Sequence, residues 1–256
     1  MIQPVADQNK IAPSSKIALV TGASRGIGRE VAVHLGKCGY AVVINYKDHG
    51  PEAEAAVTEI NKAGGQAIAL QADVSVLEEV ASLFQHIVKE FEELHIIINN
   101  VGPYLFRSIL DTDPVEWDHI IRSNLYSSYY CCFHGFPLLK AAGWGRIINM
   151  SCAAVQYMQA EPKRTPYRIA KTGVLLLARS LATELARYNI TVNTIAPGIV
   201  DNGAYSEEFR AKIVEDIPVR RLGTATDVIQ VLDFLLQPQS DYITGTCIEV
   251  AGGWRL

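Results

Sequence analysis

Lys16-Ile17-Ala18-Leu19-Val20-Thr21-Gly22-Ala23-Ser24-Arg25-Gly26-Ile27-Gly28 decides the fold of this chain. Ile17 to Val20 is short, apolar and rich in strand formers. Beyond the glycines, Ile27, Val31, Leu35 and Cys38 recur at helical spacing, and Gly39 stands where a helix would stop. The stretch predicts a buried strand, a glycine turn and a helix. Glycine permits positive φ and lets a pyrophosphate come close to the main chain. The free N–H groups and positive dipole end of the helix then face that anion.

The same alternation continues to the C-terminus. Ala41 to Asn45, Gln66 to Leu70, Leu94 to Ile98, Arg146 to Met150, Ile190 to Ile195 and Thr246 to Val250 read as further strands. Between them, Pro51 opens one helix and Ser75 is placed to cap another. Asp113-Pro114-Val115-Glu116 is a capping box that starts a long helix through the 130s, with Pro137 expected to kink or end it. Thr165 to Tyr188, Ser206 to Asp216 and Thr224 to Leu236 also read as helices. Nearly continuous apolar strands between amphipathic helices predict an α/β fold: a doubly wound, Rossmann-type parallel sheet with helices on both faces. Ligands of such a sheet bind outside the carboxyl ends of the strands. With no linker or composition shift, residues 16–256 read as one dinucleotide-binding domain, and residues 1–15, polar with two prolines, as a flexible arm.

The 256 residues are long enough to bury a sizeable core, and about half are apolar (49%), so the chain is of ordinary globular composition. The net charge of −4 without a basic block argues against nucleic acid as a partner. Five cysteines without C-x-x-C spacing read as reduced thiols, which implies a cytoplasmic protein. Six scattered histidines show no metal-ligand spacing, and no metal is expected. No apolar run approaches the roughly 20 residues of a membrane helix.

Two further patterns carry chemistry. The end of the second strand reads Asn45-Tyr46-Lys47, without the acid that usually holds the ribose hydroxyls of NAD. Arg25 and Lys47 suit a ribose 2′-phosphate instead, hence NADP(H). Tyr167-Arg168-Ile169-Ala170-Lys171 puts a phenol and an ammonium one helical turn apart, on one face. A free tyrosine titrates near pH 10. An adjacent ammonium is expected to lower that value, so that Tyr167 can exchange a proton with a carbonyl oxygen as hydride arrives at the carbon.

With these residues in place, the chain resembles the short-chain dehydrogenase/reductase family. The resemblance rests on Thr21 to Gly28, Asp73-Val74, Asn99-Asn100-Val101-Gly102, Asn124, Tyr167 with Lys171, and Pro197-Gly198, and it extends from Lys16 to the C-terminus. It implies an NAD(P)-dependent oxidoreductase with a seven-stranded sheet. Tyr167 is then the acid/base, Lys171 tunes it and holds the nicotinamide ribose, and Asn124 supports a water-linked proton relay. Cofactor contacts would come from Gly22, Ser24, Arg25, Gly26, Ile27 and Gly28, and from Asn45, Tyr46 and Lys47. Asp73 and Val74 would flank the adenine, and Asn100, Val101 and Gly102 the ribose. Pro197, Gly198 and Val200 would cover the nicotinamide. The basic positions resemble NADPH-preferring members, notably 3-oxoacyl-carrier-protein reductases and pteridine reductases.

Three departures shape the expected function. Cys152 occupies the slot of the family's catalytic serine, and a thiol is the weaker donor. Ser151 could replace it only if the strand end shifted by a residue. The run from Cys152 to Tyr167 is long and carries Glu161-Pro162-Lys163-Arg164. Val101 stands where alanine is common, and Asn202 where a threonine often holds the nicotinamide amide. The leading expectation is an NADPH-dependent reductase of a small carbonyl compound or acyl thioester. The alternatives are reduction of a pterin C=N bond and a non-catalytic NADPH-binding sensor or assembly subunit. Tyr104, Phe106, Tyr157, Met158 and Tyr205 fall in loops expected to form the substrate pocket. Apolar and aromatic residues around Asn124 and Tyr167 hint at a homo-oligomer, dimer or tetramer.

Overall fold

The computed structural model describes residues 16–201, 203 and 205–255. The expected N-terminal arm and Asn202 lie outside the described residues. Seven strands form one all-parallel sheet: β1 (Ile17–Val20), β2 (Ala41–Tyr46), β3 (Gln66–Gln71), β4 (Ile96–Asn99), β5 (Gly145–Met150), β6 (Ile190–Pro197) and β7 (Cys247–Val250). Their order is β3-β2-β1-β4-β5-β6-β7, so the chain winds outward in one direction from β1 and in the other from β4. The register pairs Leu19 with Val43 on one side of β1 and with Ile97 on the other.

Among the described residues there are eight α-helices, most of them packed on the sheet: α1 (Gly26–Lys37), α2 (Gly50–Lys62), α3 (Leu77–Phe91), α4 (Pro114–Ile121), α5 (Ser127–Ala141), α6 (Thr165–Leu185), α7 (Glu207–Asp216) and α8 (Ala225–Leu236). Alternate strand residues feed two cores. Ala18, Val20, Val42, Ile44, Ile96 and Ile98 meet α1, α2 and α8. Leu19, Val43, Ile97, Ile147 and Val192 meet α3, α5 and α6. Each fully buried branched side chain contributes roughly 1.5–3 kcal/mol, which is why both faces of the strands are apolar.

Local chemistry moves some expected boundaries. Ser75 does not cap α3: the helix starts at Leu77 behind Val76, and the Ser75 hydroxyl donates to Asp73 at 2.6 Å. Pro137 neither ends nor breaks its helix, for α5 continues to Ala141. The long helix is interrupted earlier, by a π turn at Arg122–Tyr126 that holds Asn124. A π turn misaligns the i→i−4 ladder, and the Asn124 amide takes up the Ile120 carbonyl at 3.0 Å. The capping box at Asp113 and Glu116 forms as expected, with Pro114 in the first turn.

Candidate active site

The order of the sheet reverses between β1 and β4, and the glycine turn sits at their carboxyl ends. Gly22 and Gly26 have φ +60, which a β-carbon would strain. Asn100, just past β4, clamps the turn: its amide donates to the Thr21 and Gly22 carbonyls at 3.0 and 3.2 Å. A β-carbon on Gly28 would lie 2.5 Å from that amide and 2.6 Å from the Gly22 carbonyl oxygen, so α1 can start here only with glycine. Ser24 is buried, Ile27 half-buried and Arg25 exposed at the helix start. Val101 fits against Gly22, and Val74 is buried behind β3.

Asn45 departs from expectation. Its side chain is buried and fully engaged, accepting from the Gly22 amide at 3.3 Å and donating to the Ala72 carbonyl at 3.0 Å. It ties β2 to the glycine turn instead of facing a ligand. Tyr46 packs its ring over Gly50. Lys47 is exposed and ion-paired with Asp73 at 2.8 Å. Burial works to raise the Asp73 carboxyl, but the Lys47 ammonium and the Ser75 hydroxyl and amide hold it below the ordinary value.

The second cluster lies where β5 meets α6. Lys171 is buried and donates to the Met150 carbonyl at 2.8 Å, with its ammonium 5.8 Å from the Tyr167 ring centre. A β-carbon on Gly102 would lie 2.6 Å from the Lys171 nitrogen and 2.8 Å from the Asn124 Oδ1. Asn124 is anchored through its amide to the Pro103 and Ile120 carbonyls, which leaves Oδ1 buried and without a partner in the protein. An ammonium and a free acceptor therefore flank one patch of bare backbone. Pro197 and Gly198 close the far side, the Gly198 amide donating to the Val250 carbonyl at 2.9 Å, and Val200 bridges to Gly223.

The two candidates after β5 separate cleanly. Ser151 turns away, its hydroxyl donating to the Lys171 carbonyl at 3.2 Å. The Cys152 thiol lies against the Tyr167 phenol. The proton affinities differ from expectation. Burial raises the Tyr167 phenol well above its ordinary value, and the nearby ammonium does not lower it. Burial also pulls the Lys171 amine down to about 8. Desolvation disfavours both charged forms and is the largest cause of both shifts. At neutral pH this pairs a neutral phenol, ready to give a proton, with a lysine that is still mostly protonated.

Arg168, next to the phenol in sequence, is the residue that sequence reasoning missed. It is 7% exposed and donates to the Ala153 and Ala154 carbonyls at 2.9 and 2.7 Å and to the Cys152 sulfur at 3.2 Å. Its one signal was an arginine on a helix turn otherwise facing inward. Of the expected pocket loops, Tyr104 meets Tyr167 edge-on with ring centres 5.2 Å apart and stacks on Phe106. Tyr157 and Met158 are exposed, and Tyr205 stacks on Phe209. A cavity of about 460 Å³ opens between Met158–Pro162 and the outer face of α6, and its walls include neither Tyr167 nor Lys171.

A parallel sheet in this order, with a glycine turn at its reversal point and a half-buried tyrosine beside a buried lysine after β5, defines a class of oxidoreductase. The comparisons agree. Residues 22–255 match the family profile described as enoyl-(acyl carrier protein) reductase. The chain is 37% identical over 242 residues to 3-oxoacyl-(acyl-carrier-protein) reductase FabG of Staphylococcus aureus strain Mu50, covering 93% of this chain and 98% of that one. It is 35% identical to a 3-oxoacyl-(acyl-carrier-protein) reductase of Synechocystis (94% and 97% covered), and 32% identical to the hydroxynaphthalene reductase-like protein Arp2 of Metarhizium acridum (94% and 95%). A solved structure described as a short-chain alcohol dehydrogenase from Sinorhizobium meliloti 1021 superposes with a TM-score of 0.87 at 35% identity, covering 94% of this chain and 96% of that one. The protein belongs to the short-chain dehydrogenase/reductase family and is an oxidoreductase.

Proposed function

We propose that this protein is an NADPH-dependent carbonyl reductase of 3-oxoacyl type, with Tyr167 as the proton donor. One observation carries the reading: Lys171 and Asn124 flank the bare backbone of Gly102 just past β4, and the Tyr167 ring lies 5.8 Å from the Lys171 ammonium. The residues fit a dinucleotide. The glycine turn admits a pyrophosphate, and the orphan Asn124 Oδ1 beside the Lys171 ammonium offers an acceptor and a donor to ribose hydroxyls or water. A bound nicotinamide supplies the hydride.

The protein's own part is to hold and deliver a proton. Tyr167, kept neutral by burial, donates its hydroxyl proton to the oxygen of the substrate carbonyl. Lys171 stabilises the phenolate left behind, and Asn124 orders the route by which the proton is replaced. Cys152 offers a weak second hydrogen bond to the same carbonyl. Arg25, exposed at the start of α1, and the lack of an acid ending β2 favour a 2′-phosphate, for which Lys47 would have to exchange its Asp73 partner. The resemblance to the two carrier-protein reductases supports the substrate class. We also infer a homo-oligomer, because α5 and α6 each expose large apolar side chains: Tyr129, Phe133, Ile169 and Leu176 are 47%, 59%, 48% and 66% exposed.

The test is Tyr167→Phe, assayed by NADPH oxidation with acetoacetyl thioester and, as the competing substrate class, dihydrobiopterin. General acid catalysis contributes about 10²–10⁴-fold. The variant is expected to lose that much turnover with the thioester while NADPH affinity measured by calorimetry stays near wild type. Undiminished turnover in Tyr167→Phe sinks the assignment, and turnover of the pterin alone moves it to the other substrate class.

A further inference from the structure

The cationic corner of the substrate mouth has no place in the mechanism above. Glu161, Lys163 and Arg164 stand in the loop before α6, Arg168 in its first turns and Arg255 near the C-terminus. Glu161, with its side chain 9% exposed, meets three guanidiniums: Arg164 at 2.6 Å, Arg168 at 3.8 Å and Arg255. Among the described residues it is the one carboxylate that these guanidiniums meet. Arg168 spends its remaining donors on the Ala153 and Ala154 carbonyls and on Cys152. Arg164 and Arg255 do not, and they stay partly open, with side chains 19% and 28% exposed. Lys163 sits over the Phe106 ring and brings a fourth positive charge. The surplus is local, since the chain as a whole carries −4.

The same corner touches the reacting phenol through a single ring. Burial raises the Tyr104 phenol, the Arg164 and Arg255 guanidiniums both act electrostatically against that rise, and the Tyr104 ring meets Tyr167 edge-on at 5.2 Å. A group on Arg164 or Arg255 is thus about one aromatic ring away from the proton donor. Guanidinium forks with spare N–H groups in a half-buried place match a carboxylate geometrically and electrostatically.

We propose that Arg164 and Arg255 form a carboxylate subsite, so that the carbonyl compound reduced here is a small oxo acid held by its own anionic end. This rests on the carbonyl-reductase reading and narrows its substrate. In a 3-oxo acid the carboxylate stands where the thioester stands in a 3-oxoacyl thioester, two carbons from the carbonyl reduced. The subsite would therefore select between two molecules that present the same reacting group.

The experiment compares NADPH-dependent reduction of acetoacetate and methyl acetoacetate by wild type, Arg164→Gln and Arg255→Gln. The readout is the ratio of kcat/KM for acid over ester. A charge-assisted hydrogen bond is worth roughly 10- to 100-fold in affinity. Wild type is expected to favour the acid, and each variant to lower the ratio by about that factor. A wild-type ratio at or below one, or a ratio unmoved in both variants, overturns the subsite. If neither compound turns over, calorimetry with 3-hydroxybutanoate decides. Binding by wild type that is lost in Arg255→Gln supports the subsite, and no binding overturns it. Absent NADPH affinity in the same instrument condemns the enzymatic reading separately. Should Arg164→Gln fail to fold, Arg255→Gln alone carries the comparison.

Discussion

Lys171 keeps its amine in a place that resists charge, and that resistance is measurable. Its pKa in the folded protein is about 8, against about 10.4 in an unfolded chain. Below pH 8 both states hold the proton, and burial of the charge costs the folded state its full amount. Between pH 8 and 10.4 the folded protein binds fewer protons than the unfolded one, so stability rises with pH through that window. The gain is on the order of 3 kcal/mol. Urea unfolding at pH 7 and pH 10 checks it: wild type should gain by about that much relative to Lys171→Met, because every other titrating group is common to both. Cys152 offers a second check. A hydroxyl is the better donor toward a carbonyl, so Cys152→Ser should raise kcat by roughly tenfold, measured under saturating NADPH.

The glycine turn and the π turn each set one half of the site. In the turn, a methyl group on Gly28 would press on the Asn100 amide and the Gly22 carbonyl. Gly28→Ala should therefore cost roughly 1–3 kcal/mol of stability, read from the urea midpoint, and weaken NADPH binding more than substrate binding. Much of this level was legible beforehand. Apolar runs such as Ile96 to Ile98, the box at Asp113 and the helix from Thr224 fold as read, because burial and capping are decided within a few residues. What escaped depended on partners far along the chain. Asn45 turns inward because the Ala72 carbonyl and the Gly22 amide arrive beside it, 27 and 23 residues away. Ser75 prefers Asp73 to the helix it was expected to cap. Arg168 folds inward onto carbonyls that only the turn after β5 presents. The lowering of the Tyr167 pKa expected from Lys171 failed for a related reason: spacing on a helix gives neighbours but not the solvent that surrounds them.

At the scale of the molecule, the exposed apolar side chains of α5 and α6 set the prediction for the oligomer. Among the described residues no helix is long and apolar enough to cross a membrane, and no cluster of His, Cys, Asp and Glu could hold a metal ion. Phe133→Glu should shift the mass found by light scattering toward one chain while leaving the circular dichroism of the fold in place. An unchanged mass would place the subunit contact elsewhere. The order of the sheet has one more outcome, in the time domain. β1 lies inside the sheet, between β2 and β4, yet β4 enters the chain only about 75 residues later. During synthesis, N-terminal segments generally condense first, and strands that await distant partners leave unpaired edges open to aggregation. A nascent chain stalled before Ile96 therefore carries β1 with one bare edge, and should aggregate more readily than one released after β4 is made.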